Sequence, residues 1–203
     1  MKSDKSGRTA YHHGDLRSAL LAAAEAELGD KGVEGFTLRG CAKRAGVSHA
    51  APAHHFKDAN ALLTALATQG FERFVAAMRT RQAAADPAPR AQLEAAGLGY
   101  IDFAKANPAL FRLMFSSDRP ERGDGALSEA ATASFDLLVD AVHAVDGVDP
   151  RNDSAAMRDV AASWAIVHGL AELTLSGHMP LLATGGDADE VYADIAARAV
   201  LRR

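Results

Sequence analysis

The chain is expected to be all-α, about nine helices arranged as a small N-terminal head on a larger helical body. Three observations predict this. Apolar residues recur at three- and four-residue spacing in one stretch after another. No stretch alternates apolar and polar residues over a convincing strand length, and the sequence has no internal repeat. The stretch FTLRGCAKRAGVSHAAPAHHFKDANALL, residues 36–63, reads as two short helices around a sharp turn, followed by the start of a longer helix. Residues 1–60 make the head and 61–203 the body.

In order along the chain, residues 1–14 are polar and expected to be disordered, an arm whose Lys and Arg could reach phosphates or a minor groove. Asp15 caps a helix to about residue 30, with Leu16, Leu20, Ala23, Ala24 and Leu28 on its inner face. Gly29, Gly32 and Gly35 punctuate the exit and Phe36 enters the core. Thr37 is placed to cap the next helix, in which Leu38, Cys41, Ala42 and Ala45 form a buried stripe. Gly46 suits the left-handed exit, and Val47 can tuck between the two helices. Ser48 then caps a helix to His55, with Pro52 read as falling in its first turn, where a proline costs little. Asp58 caps a long helix carrying Leu62, Leu63, Leu66, Phe71, Phe74, Val75 and Met78, long enough to join head to body. DPAPR, residues 86–90, breaks the chain before a helix through Leu93, Leu98, Tyr100, Ile101 and Phe103. Asn107 and Pro108 open a short helix dense in Leu110, Phe111, Leu113, Met114 and Phe115. Residues 116–125 form a loop. A helix over about 127–145 turns Phe135, Leu138, Val139 and Val142 inward. The next, about 154–176, is ended by Gly177 and Pro180, and a last amphipathic helix carries Val191, Ile195, Ala199 and Val200.

A length of 203 residues is enough to bury a substantial core. Charges interrupt every apolar run well short of the roughly 20 residues that span a membrane. The opening MKSDKSGRTAYHHGD has no apolar segment of a secretory signal. A single cysteine excludes an internal disulfide framework, and a cytoplasmic protein is the expectation. The net charge of −4 is unevenly spread. Residues 1–60 carry 9 Lys and Arg against 7 Asp and Glu, net +2, which leaves −6 for the remainder. A modest positive bias therefore falls on the head.

Two short helices around a tight turn are the helix-turn-helix arrangement, in which the second helix is presented to the DNA major groove. That helix would be residues 48–55. Ser48, His49 and Ala50 stand near its N-terminus, where base edges come within reach. His49 can donate or accept a hydrogen bond, and Ala50 and Ala51 can offer methyl contact. Thr37, Arg39, Lys43, Arg44, His54, His55 and Lys57 are candidates for phosphate contact, which positions the head. The ordinary alternative, a helical hairpin whose basic residues are merely solvated, shares the spacing.

The motifs go further. T-L-R-x-x-A-x-x-A-G-V-S at 37–48, followed by His55-Phe56 and Ala61-Leu62-Leu63, resembles the DNA-binding region of the tetracycline-repressor (TetR) family of bacterial transcriptional regulators. YHHGDLR at 11–17, with Trp164, His168 and Gly169 in the order W-x-x-x-H-G, is similar to the subgroup that carries a Trp-His-Gly motif. The resemblance implies a homodimer built as a four-helix bundle from residues 160–175 and 191–201, a double-stranded DNA operator, and a small-molecule effector held in the body. It also exposes two departures. Relatives have an aromatic residue, most often Tyr, where this chain has Ala53, and Lys where it has Ala59. Both typical residues contact the DNA backbone in the family.

Within the body, Phe103, Phe111, Met114, Phe115, Phe135 and Trp164 read first as core and second as the walls of an apolar pocket. Trp164 and His168 at i, i+4 add an indole donor and an imidazole that could orient a ligand. Other chemistry finds little support. Adjacent histidines such as His12-His13 and His54-His55 lack the i, i+4 spacing of helical metal ligands, so no metal and no cofactor is expected. Cys41 reads as a small core residue. No nucleophile, base and acid form a catalytic set, so an enzyme is not expected. The reading is a dimeric repressor released by an apolar or aromatic ligand, with a ligand-binding protein whose head is degenerate as the alternative.

Overall fold

Helix α1 (His13–Lys31) begins two residues before Asp15, so Asp15 falls within the helix and not at its cap. The structure, a computed structural model, describes residues 13–179 together with Val191, Tyr192, Asp194 and Ile195. The N-terminal arm, Pro180, the 183–189 linker, Ala199 and Val200 lie outside the described residues.

Thr37 caps α2 (Leu38–Arg44), its hydroxyl accepting the Gly40 N–H at 3.0 Å. The exit is a Schellman turn. Gly46 sits at φ +68°, its N–H donates to Lys43 O, and the Val47 N–H donates back to Ala42 O at 3.0 Å. Cys41 and Ala42 are fully buried, with Leu38, Ala45 and Val47 half-buried against them.

The next element is not the expected helix. In place of residues 48–55 capped by Ser48 there is one 3-10 turn (Ala51–His54), with Ala50 at its N-cap position and no side-chain cap. Pro52 is the reason. Four residues beyond Ser48, it has no N–H to give to the Ser48 carbonyl, and its ring crowds that carbonyl. The Ala51 N–H reaches Ser48 O instead, at 3.0 Å, an i to i−3 bond. The first free turn, where proline is harmless, ends one residue earlier.

Asp58 caps α3 (Ala59–Ala84) through the Ala61 N–H at 2.8 Å. The body follows as α4 (Pro89–Ala106), α5 (Pro108–Ser116), α6 (Gly125–Asp146) and α7 (Ser154–Leu175). Gly177, at φ +74°, turns the chain after α7. Among the described residues there are thus seven α-helices, one 3-10 turn and no strand, rather than about nine helices. Of the expected last helix, Val191, Tyr192, Asp194 and Ile195 are helical. Tyr192 is buried against Ile101 and Leu170, and its hydroxyl lies 2.9 Å from Thr174 Oγ1.

Helix α3 runs through the middle. Leu62, Leu63 and Leu66 close the head core with Leu20, Leu28, Phe36 and Cys41, while Phe71, Phe74 and Met78 join Tyr100, Phe103, Phe111 and Met114 in the body. The core is continuous from one part to the other. Where α3 crosses α4 the two backbones come close, since a Cβ at Gly99 would lie 2.6 Å from Met78 Cα and 2.8 Å from Ala77 O.

Candidate functional site

The head presents Ser48, His49, Ala50, Ala53 and His54 to solvent in one short segment around the 3-10 turn. His55 is half-buried beside Phe56, with ring centroids 6.5 Å apart, and the Arg17 guanidinium lies 5.5 Å from the Phe56 ring centre. Arg39 and Lys43 are exposed on α2. Two of the other basic candidates are engaged within the protein. Arg44 donates to Glu27 and to Asp30 on α1, each at 2.5 Å, and Glu27 is itself buried. Lys57 pairs with Glu121 at 2.7 Å, and that partner raises its pKa, so it keeps its charge. The Thr37 hydroxyl is spent on its cap.

A cavity of about 200 Å³ opens in the body, walled by α3, α4, α5, α6 and α7 and by the α5–α6 loop. Phe71, Phe74, Met78, Tyr100, Phe115, Phe135, Leu138, Trp164 and Val167 supply most of its surface. Phe135 and Trp164, 37% and 41% exposed, pack edge to face with centroids 6.0 Å apart. At such exposure they form a mouth, and Phe135 does not turn into the core as expected from its helical register. Of the sequence candidates, Phe115, Phe135 and Trp164 stand on the wall. Phe103, Phe111 and Met114 are core side chains behind it.

His168 is also behind the wall, bonded to Tyr100. The Tyr100 hydroxyl lies 2.7 Å from His168 Nδ1, while the indole N–H of Trp164 faces the same hydroxyl. Burial pushes the Tyr100 hydroxyl above the ordinary phenol range, only partly offset by the indole. The imidazole is stacked on Phe111 at 5.6 Å. Trp164 and His168, one turn apart, thus clamp one tyrosine. Tyr100 has a sequence signal only in hindsight, as the polar-tipped member of an apolar stripe. Phe71, Phe74 and Met78 read as core, because periodicity cannot distinguish a core wall from a cavity wall.

Gly169 has open space around it, with nothing within 4 Å of where a Cβ would stand. It falls in an i+4 ladder with Ala161, Ala165 and Leu173 along the outer side of α7. Val160, Leu170 and Ala171 of that helix point inward.

The loop between α5 and α6 touches both regions. Arg119 donates to Val33 O at 2.8 Å and to Asn60 Oδ1 at 2.9 Å. The Glu121 N–H donates to Thr64 Oγ1 at 2.9 Å, beside the Lys57 pair. Arg122, next in sequence, lines the cavity.

Comparison with known proteins agrees with this geometry. The family described as "Bacterial regulatory proteins, tetR family" matches residues 20–66, and "Tetracyclin repressor-like, C-terminal domain" matches residues 93–199. The HTH-type transcriptional regulator BetI of Serratia proteamaculans (strain 568) is 33% identical over 97 residues, 47% of this chain and 49% of that protein. Its namesake from Burkholderia mallei (strain NCTC 10229) is 37% identical over 79 residues, 39% and 40% of the two chains. The chain spans half or less of the length of these curated relatives. A solved structure from Rhodococcus sp. RHA1, described as of unknown function, matches with TM-score 0.79 and 36% identity over 95% of this chain and 97% of that one. A TetR-like transcriptional regulator from Rhodococcus sp. RHA1 shares the fold, with TM-score 0.67 and 17% identity over 95% and 99%.

Proposed function

Because the chain belongs to the tetracycline-repressor (TetR) family of bacterial regulators, we propose that it is a cytoplasmic homodimeric repressor. It binds a palindromic DNA operator and is released by a small apolar or aromatic ligand. Residues 1–60 act as the DNA-binding head and 61–203 as the ligand-binding and dimerisation body. The observation that carries this is the span of α3, which begins just past the segment that exposes Ser48, His49, Ala50, Ala53 and His54, and continues as a wall of the cavity through Phe71, Phe74 and Met78. A ligand that favours one setting of α3 shifts the population of head spacings, and so of DNA-competent dimers. The outer ladder of α7, made of small and apolar residues on an exposed helix face, supports the dimer contact. Two heads then add their modest affinities through effective concentration.

A second reading is favoured by one specific feature, the 3-10 turn in place of a recognition helix, together with Ala53 and Ala59. In it the body still binds a ligand and the head holds DNA weakly. Fluorescence anisotropy against DNA from the gene's own upstream region and a scrambled control, across a salt series, separates the two. Tight, sequence-dependent binding with a steep salt slope is expected. Equal, weak binding to both DNAs would establish the degenerate head. Ala53→Tyr should then restore affinity by adding a phosphate contact.

A further inference from the structure

The cavity reading leaves the chemistry of its ligand open, and the wall itself narrows it. Apart from Arg122, the side chains around the cavity are neutral. The two hydroxyls among them are committed, Ser134 to Ala131 O at 2.7 Å and Tyr100 to His168. Arg122 comes from the α5–α6 loop at the open side, on the same cavity as Phe135 and Trp164. Its Nη2 donates to the Ser117 carbonyl at 3.1 Å, and no carboxylate pairs with it among the described residues. Arg44, Arg73, Arg81 and Arg151, by contrast, all have carboxylate partners. A guanidinium left with free donors beside an apolar chamber suits a planar anion, which it can hold through two parallel N–H bonds.

We propose that the cavity takes a small apolar acid, an alkyl or aryl carboxylate whose body fills the chamber and whose anionic end is paired by Arg122. The inference rests on the reading of this cavity as the effector site. Size agrees with the class. Apolar protein cavities of about 150 Å³ hold benzene, so 200 Å³ has room for a substituted ring or a medium alkyl chain. The edges and faces of Phe71, Phe74, Phe115 and Trp164 bury that body, and the carboxylate stays at the wet mouth, where its desolvation cost is small.

The test uses the full chain and two matched pairs of probes: octanoate with 1-octanol, and 4-phenylbutyrate with 4-phenylbutanol. Each is titrated by calorimetry and by the emission of Trp164, the only tryptophan. The acids should bind about tenfold tighter than their alcohols, by one charge-assisted contact, with the preference shrinking as salt rises. Arg122→Gln should bring the acid-to-alcohol ratio close to one, and Arg122→Lys should keep much of it. Alcohols binding as tightly as acids, or a ratio unchanged in Arg122→Gln, would overturn the charge assignment while leaving the apolar cavity as the effector site. If neither acids nor alcohols bind or alter Trp164 emission, and neutral N-phenyl-1-naphthylamine also fails to bind, the cavity reading falls with it.

Discussion

Single side chains decide several roles that residue type leaves open. Cys41 is buried at 0% exposure, and burial, then the nearby Glu27 charge, pushes its thiol from 9.0 up to about 11. The thiolate is the reactive form, so the native protein should react with a disulfide reagent far more slowly than the unfolded chain at pH 8. The same shift makes a stability claim. Below pH 9 both folded and unfolded chains keep the proton, whereas between 9.0 and about 11 the unfolded chain loses it first, so this contribution fades as pH rises. Tm measured from pH 8 to 11 should fall more steeply in the wild type than in Cys41→Ala. Parallel curves would show that the thiol is not what titrates. Arg44 illustrates the converse, a basic residue of the head whose donors are turned inward to Glu27 and Asp30.

At the scale of the element, boundaries follow caps and breakers. Thr37, Gly46, Asp58, Asn107-Pro108 and Gly177 are legible because each acts on its own few neighbours. Pro52 was visible too, but its effect hinges on one residue of register, which separates a free N–H from the first required bond. Packing between elements is a different matter. Gly99 is an ordinary helical glycine in sequence, yet it is where α4 meets the backbone of α3. Gly99→Ala should force the two helices apart and cost about 2 kcal/mol, seen as a Tm lower by several degrees. An unchanged Tm would mean that the crossing can widen freely.

For the whole molecule, head and body are joined by the continuous helix α3, by α1 packed on α5 with Arg73 between Glu25 and Asn107, and by the α5–α6 loop. Arg119 is the loop's grip on the head through Val33 O and Asn60. Arg119→Ala should leave the body intact and speed amide hydrogen exchange around residues 33–47 by about tenfold, the effect of losing roughly 1–2 kcal/mol of charge-assisted bonding. Unchanged exchange there would show that the α5–α6 loop is not what holds the head. The dimer proposal has an equally direct check. Ala165→Glu sets a charge in the middle of the exposed α7 ladder, where the monomer fold has no use for the site, and should give monomers in sedimentation with unchanged helicity. Dimers that persist would move the contact elsewhere.

The sequence by itself determined the helical class, the order of the described helices to within a few residues, and the family of the head. Each of these rests on periodicity, on caps, or on a motif of contiguous residues, all of them local. Which aromatic residues wall a cavity and which fill the core was decided only by the tertiary structure. Phe111 and Phe115 lie one turn apart on the same helix, and only the second reaches the opening that Phe135 and Trp164 leave. The same holds for the Tyr100 clamp, which brings together residues 68 positions apart, and for Arg122, whose place at the mouth is set by a loop anchored at Asn60 and Thr64. Contacts of that range depend on how helices cross, and no local pattern encodes a crossing.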